Sequence, residues 1–278
     1  MAAIARDIGK ELGASYAFVE RNFNLVKRYW GWEIVFLIYS VAHALVIGFI
    51  GAAMGLMGGP AEQTQALVLY LLIGSLVWSY LGITFDIIAE SIQWERWEGT
   101  IEYTFMAPIH RTTHLLGTVM FAVVYGLLRT AVILVVVTRF FELDLGRANL
   151  PAAFLVLVVA SLGFVGLGIT ASILPLLFTE RGMQMVIVSQ SCILLVSGVF
   201  YPVEVMPAWM QTLSWFSPAT YALIAARQAL LEGAGVVELL PQLLPLLLVG
   251  VVLIPIGLTI FGWAERYAKK TGKLKRNG

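Results

Sequence analysis

Cysteine occurs once in this 278-residue chain, at Cys192, so no internal disulfide can form and no redox compartment is indicated. Histidine occurs three times, at His43, His110 and His114. His110 and His114 share the step that sets two ligands on one helix face, yet no carboxylate or cysteine stands at metal-ligand spacing beside them, and no metal site is expected. Charge is scarce as well. Asp, Glu, Lys and Arg make up 13%, with 18 Lys+Arg against 17 Asp+Glu and a net charge of +1. Phosphate neutralisation needs a dense basic surface, so a nucleic-acid partner is excluded. The phosphate-binding pattern G-x-x-x-x-G-K-[ST] is missing too: Gly9-Lys10 and Gly272-Lys273 lack both the upstream glycine and the following Ser/Thr. With no internal repeat, low-complexity tract or Pro/Gly-rich linker, residues 1–278 read as a single domain.

What the chain has is apolar length. Hydrophobic residues reach 59% and the mean hydropathy is +0.86, against roughly half apolar and a quarter charged in soluble domains. An all-α integral membrane protein is expected. Runs near the ~20 residues needed to cross a bilayer cover 34–56, 66–88, 115–137, 152–178, 183–200 and 239–263. About six transmembrane helices follow, which sets both termini on one side. The first run starts too late and is too long for a cleavable signal peptide. Arg6, Lys10, Arg21, Lys27 and Arg28, then Arg266, Lys269, Lys270, Lys273, Lys275 and Arg276, cluster on that side with Arg96, Arg111 and Arg181, against Arg139, Arg147 and Arg227 opposite. By the positive-inside rule both termini are cytoplasmic.

Residues 1–33 are too polar to span, but Leu12, Tyr16, Val19, Phe23, Val26 and Trp30 recur at three- and four-residue steps. That spacing predicts an amphipathic interfacial helix with Lys27 and Arg28 near lipid phosphates, either an anchor or a docking element. The stretch "QWERWEGTIEYTFMAPIHR", residues 93–111, interrupts the apolar runs with three glutamates, two arginines and two tryptophans. As a helix it puts Trp94, Trp97, Ile101 and Phe105 on one stripe and Glu95, Glu98 and Glu102 on the next. Gly99 breaks that helix, Thr100 can cap its restart, and Pro108 ends it. A short, stiff element at the inner surface is expected, its acidic edge turned to the cytoplasm.

"WEGTIEYTFMAPI" resembles the coupling segment of type-2 ABC exporter permeases, through Glu98, Gly99, Thr100, Glu102 and Pro108. A second resemblance lies in "SGVFYPVEVMPAWMQTLSWFSPATYALIAARQALLEG", residues 197–233, through Gly198, Pro202, Glu204, Pro207, Trp209, Pro218, Tyr221, Arg227 and Gly233. The family implies a cytoplasmic coupling helix at 93–111 that sits in a groove of an ATPase subunit, and short re-entrant helices at 201–233 before the last span. It implies two ATPase chains that bind ATP and Mg, no cofactor on this chain, a second permease chain (a homodimer, or a heterodimer), and the plasma membrane of a bacterium or archaeon. Tyr103-Thr104-Phe105 departs from the family's more common aliphatic residue.

Residue chemistry agrees for the second motif, since three prolines forbid one continuous helix while Trp209, Trp215, Phe216 and Tyr221 favour the membrane interface. Intramembrane polar groups are candidate pathway residues: His43, Arg129, Ser189 and Gln190. Arg129 should face protein or a water-filled cavity and meet a carboxylate or carbonyl; His43 is expected to pack between helices. Asp86 and Glu90 are expected at the cytoplasmic edge, and Gly51, Gly55 and Gly59 to allow close helix approach. No Ser-His-Asp or Cys-His set shares one membrane depth, so no enzyme is expected. The fifth run is aliphatic with small polar residues, which favours an apolar or amphipathic cargo, drug or lipid-like. Polysaccharide or lipo-oligosaccharide export is the alternative, and a channel or membrane scaffold the alternative outside the class.

Overall fold

The computed structural model describes residues 2–56, 60–106, 111–143 and 145–274, and among these it is helical throughout, without strands. Helix α1 (Ala2–Arg28) is followed after a one-residue turn by α2 (Trp30–Leu56), then α3 (Ala61–Glu98), α4 (Ile101–Met106) and α5 (Arg111–Phe140). Next come α6 (Leu150–Ala171), α7 (Ile173–Leu177), α8 (Gly182–Val196), α9 (Ala208–Ser214), α10 (Pro218–Arg227) and α11 (Leu240–Lys270). Val203–Val205 forms a 3-10 turn and Gln228–Glu232 a π-helical turn. Among the described residues five helices are long and apolar enough to cross a membrane, and a sixth, α8, is shorter. The six apolar runs of the sequence are therefore all helical, but the fifth spans only 15 residues, about 22 Å.

Local chemistry sets the helix ends. Asn149 caps α6, its side chain accepting from the Ala152 N–H at 3.1 Å. Pro218 opens α10 at a position where its missing N–H costs nothing. At the end of α3, Gly99 takes φ 74°, left-handed backbone that stops the helix, and its N–H closes on the last turn. Gly198 takes φ 66° just past α8.

The second apolar run is part of a longer element than the sequence suggests. Helix α3 has 38 residues, about 57 Å, against roughly 30 Å of hydrocarbon. Its last turns carry straight into the charged stretch, so Gln93 to Glu98 belong to α3 and only α4 is separate. Asp86 and Glu90 consequently lie three and two turns inside α3 rather than at its edge. Glu33, expected in the interfacial segment, lies in the first turn of α2.

Helices α3 and α6 form the centre of the bundle. Helices α2 and α5 pack on α3, α11 packs along α6, and α10 wedges among α3, α6 and α11. One core gathers Tyr80, Phe85, Phe164 and Leu246 with the small residues of α10; a second gathers Ile88, Ile92, Ile101, Leu115 and Phe261; a third joins α2, α3 and α5 through Ala44, Leu72 and Ile133. Helix α1 packs on the start of α5 through Ser15 and Phe18, while Tyr16 and Phe23 of its apolar stripe are exposed. The Leu12 side chain lies outside the described residues.

Lipid is as apolar as leucine, so helix association in a membrane depends on close packing more than on burial of grease. Gly166 of α6 and Gly250 of α11 let these two helices approach closely. A Cβ on Gly166 would lie 2.6 Å from Leu253 Cβ and 2.8 Å from its carbonyl carbon, and one on Gly250 would lie 2.9 Å from the Gly163 nitrogen. Between α2 and α3, Gly51 approaches the Val68 backbone and Gly55 the Thr64 side chain, as their spacing suggests; Gly59 lies outside the described residues. Helix α11 contains two interior prolines, Pro245 and Pro255.

Gly166→Ala is expected to destabilise the protein by about 1–3 kcal/mol, because backbone rather than a flexible side chain must move. Gly262→Ala, where a Cβ meets nothing within 4 Å, should be neutral or stabilising. Thermal unfolding of the two variants in one detergent compares them directly.

Candidate functional site

The charged end of α3 divides into a buried half and an exposed half. Trp94, Trp97 and Glu98 are exposed, as are Thr100, Glu102, Tyr103 and Met106 beyond the break. Ile101 and Phe105 of α4 are buried, Ile101 beside Ile92 and Leu115 in the second core. The stripe expected from the sequence is therefore split: the two tryptophans face outward and pack edge to face at 5.4 Å, while Ile101 and Phe105 face inward. Gly99 is the reason, since its left-handed backbone re-aims α4 and resets which positions share a face.

The expected acidic edge is split in the same way. Glu98 and Glu102 are exposed, but Glu95 is fully buried. Glu95 Oε1 accepts from the Arg21 guanidinium of α1 at 2.9 Å and lies 3.1 Å from His114 Nε2 of α5. His114 is 1% exposed, and its ring lies tilted against that of Phe18 with centroids 4.6 Å apart. Beside this contact Thr113 donates its hydroxyl to Glu11 and accepts at its carbonyl from Ser15 Oγ at 3.2 Å. Gln93 and Arg96, on either side of Glu95, lead to other partners. Gln93 Nε2 donates to the Thr179 carbonyl at 2.8 Å, and Arg96 donates to Thr179 Oγ1 and to the Lys273 carbonyl, the latter at 2.5 Å. Lys269 of α11 lies over the Phe105 ring at 5.5 Å. An exposed face of two acids, two tryptophans, a tyrosine and a methionine is thus backed by ties to α1, α5, α8 and α11. Pro108 and His110 lie outside the described residues.

At the other end of the bundle, Arg227 holds the segment after α8. Its guanidinium donates to the carbonyls of Gly198 and Val199 at 3.2 and 2.6 Å and lies 3.6 Å over the Tyr70 ring. Gly74 of α3 lies against the Val199 carbonyl with no room for a side chain. Pro202 and Pro207 flank the 3-10 turn, Pro218 starts α10, and the Tyr221 hydroxyl donates to the Trp215 carbonyl at 2.9 Å. Glu204 and Trp209 are exposed. Gly233 ends the π turn at φ 72°.

Arg129 of α5 turns to α2, donating to the Phe36 carbonyl at 2.5 Å and to Ser40 Oγ at 2.8 Å, with Tyr125 between it and Glu33. His43 is exposed on α2 against Tyr39, not packed between helices of this chain. Gln190 donates to Asp86 Oδ1 at 2.6 Å, and Ser189 bonds its own helix at the Met185 carbonyl. Sequence reasoning missed Arg21, Gln93, Glu95, Arg96, Thr113 and Thr179 as structural partners. For Gln93, Glu95 and Arg96 the available signal was position: polar side chains on the side of α3 that continues the buried face of Ile88 and Ile92.

These features define a multi-pass helical membrane protein with a charged, rigidly backed projection at one end. The match of the ABC-2 type transporter family covers residues 14–231, and the chain belongs to that family. It is also similar to the Probable multidrug ABC transporter permease YbhR of Escherichia coli (strain K12), 24% identical over 159 residues, which is 57% of this chain and 43% of that protein. The protein of that name in Escherichia coli O157:H7 matches with the same values. The match thus spans less than half the length of these relatives.

Truncating Glu95 to alanine is expected to lower stability by about 1–3 kcal/mol, the lower part of what a fully buried ion pair would lose, because Arg21 is 38% exposed and can rehydrate. Glu95→Gln, which keeps a hydrogen-bonding partner for His114, should recover part of the loss. Unfolding temperature together with the trypsin-cleavage rate of α1 measures both.

Proposed function

We propose that this chain is the membrane-spanning permease of an ATP-driven exporter that moves an apolar or amphipathic molecule, drug or lipid-like, outward by alternating access. The exposed Glu98 at the end of α3, with Glu102, Tyr103 and Met106 on a six-residue helix whose inner side chains are buried, carries this reading. A surface that is exposed yet rigidly backed suits force transfer from a partner better than a solvated loop does. Two ATPase chains bind the nucleotide and Mg, and each seats one copy of the segment through Glu98, Gly99, Thr100, Glu102 and Pro108. A second permease chain, most simply another copy of this one, completes the pathway. Both termini lie in the cytoplasm of a bacterium or archaeon.

The two ends of the bundle take different roles in this scheme. The projection receives the push as the ATPases close on ATP, while the segment from Gly198 to Arg227 closes the outer end of the pathway. The amphipathic cargo is supported by α8, whose sequence GMQMVIVSQSCILLV contains no aromatic ring to stack on sugars. Met185, Ile187, Val188 and Leu195 are exposed there beside the half-buried Ser189 and Gln190. The multidrug wording of the relatives' name points the same way.

Carboxylates in a docking surface make charge-assisted contacts of about 1.5–3 kcal/mol each. The double variant Glu98→Ala, Glu102→Ala is therefore expected to insert normally but to weaken ATPase binding by at least about tenfold and to uncouple hydrolysis from export. Gly99→Val should act alike, through both bulk and its left-handed backbone. Co-purification and ATP-dependent export from vesicles are the measurements; normal ATP-driven export by the double variant would remove the docking role. The purified chain alone should hydrolyse no ATP.

A further inference from the structure

Thr179 lies in the short turn between α7 and α8, where two side chains from one face of α3 converge on it. Gln93 and Arg96 are three residues apart and therefore share a face. Gln93 Nε2 holds the Thr179 carbonyl at 2.8 Å, and Arg96 donates to the Thr179 hydroxyl. Both α3 side chains are buried, 2% and 5% exposed. The second guanidinium nitrogen of Arg96 that bonds outward holds the Lys273 carbonyl just past α11. One planar group therefore fixes the end of α3 to the start of α8 and to the end of α11.

The turn that carries Thr179 has little give. The Gly182 N–H donates to the Phe178 carbonyl at 2.7 Å, and Gly182 presses on the Pro175 backbone with no space for a Cβ. Helix α8 begins at Gly182, and deeper in the bundle Gln190 on α8 is bonded to Asp86 of α3. Glu95 leads to α1 and α5 and Phe105 to Lys269 of α11, while Leu176 of α7 joins Ile88, Ile92 and Ile101 in apolar packing and Lys273 lies 5.8 Å over the Phe178 ring. Following the backbone from α4 to α8 requires passing along all of α5, α6 and α7.

We propose that Thr179 is the contact through which displacement of α4 and the end of α3 reaches α8, with Gln93 and Arg96 as its positioning residues. The inference rests on the reading of α4 as the ATPase-docking segment. It assigns the direct mechanical route to two side chains of α3 rather than to the intervening helices. Arginine suits the task because its fork holds two acceptors at a fixed angle, which a lysine ammonium does not.

The native Cys192 is exposed on α8 and is the chain's one cysteine, so a single added cysteine completes a labelled pair. Tyr103→Cys places the second label on the exposed face of α4. Pulsed electron-spin distance measurement on the full chain in lipid nanodiscs should give one narrow distribution. Thr179→Val, which preserves volume and the carbonyl bond of Gln93, should broaden it or add a second distance. Thr179→Ser should restore the narrow form, and Arg96→Lys should behave as Thr179→Val. A distribution unchanged by both Thr179→Val and Arg96→Lys, or no recovery with Thr179→Ser, would overturn the proposal. The measurement needs no ATPase, so an ATPase that binds normally without Glu98 and Glu102 would sink the docking reading alone and leave this outcome legible.

Discussion

A charged side chain withdrawn from water must find its counter-groups within the protein, and at one end of this molecule that requirement decides which helices meet. Glu95 is fully buried, and its partners come from α1 and α5; Arg96 is almost as buried, and its partners come from the α7–α8 turn and the end of α11. Adjacent residues of opposite charge on one helix thus recruit four other elements. Buried charge is costly when unpaired, so these contacts fix positions that apolar packing alone leaves adjustable. Along most of the bundle the side chains are aliphatic and interchangeable; at this end they are not.

The remainder of the bundle is held by closeness. Small residues let α11 lie on α6 and α10 insert among its neighbours, and the cores fill with Phe85, Phe164 and Phe261. Helices α2, α5 and α11 keep broad apolar faces outside the protein, as does α1 with Tyr16 and Phe23. This division suits a transport subunit: a compact centre made of α3 and α6, polar ties at both ends, and an outer surface available to lipid or to another chain. Arg227 is the counterpart at the far end, where it satisfies the carbonyls of Gly198 and Val199 just past the end of α8.

The sequence made the helices legible and much of their limits. Apolar runs near bilayer length located every long apolar helix, amphipathic spacing located α1, and Gly99 announced the break before α4 because left-handed backbone is a local property of glycine. Of the first motif that carried the ABC-2 resemblance, Glu98, Gly99, Thr100, Glu102 and Pro108, the described Glu98, Thr100 and Glu102 are exposed to a partner. What was not legible depends on distant partners. Glu95 and Glu98 are one helical turn apart and chemically identical, yet only Glu95 meets a guanidinium 74 residues away and a histidine 19 residues away. Trp94 and Ile101 parted because a single reversed residue rotated the following helix. The length of α3 escaped because a hydropathy run ends where charge begins, whereas a helix ends where its backbone does.

Pro245 and Pro255 divide α11, Leu240–Lys270, into unequal stretches, the longest after Pro255. Each removes one backbone hydrogen bond and crowds the carbonyl a turn earlier, so bending stiffness falls locally at two places in a helix of 31 residues. Between them Gly250 rests on α6, and beyond them lie the entry from the Arg227 end and the Lys269–Lys273 end that meets Phe105 and Arg96. Beyond Pro255, Gly257 also packs on α6 and Phe261 and Ala264 join the second core, so α11 is a shaft seated along much of its length, with two compliant joints at which it can bend without leaving its seat.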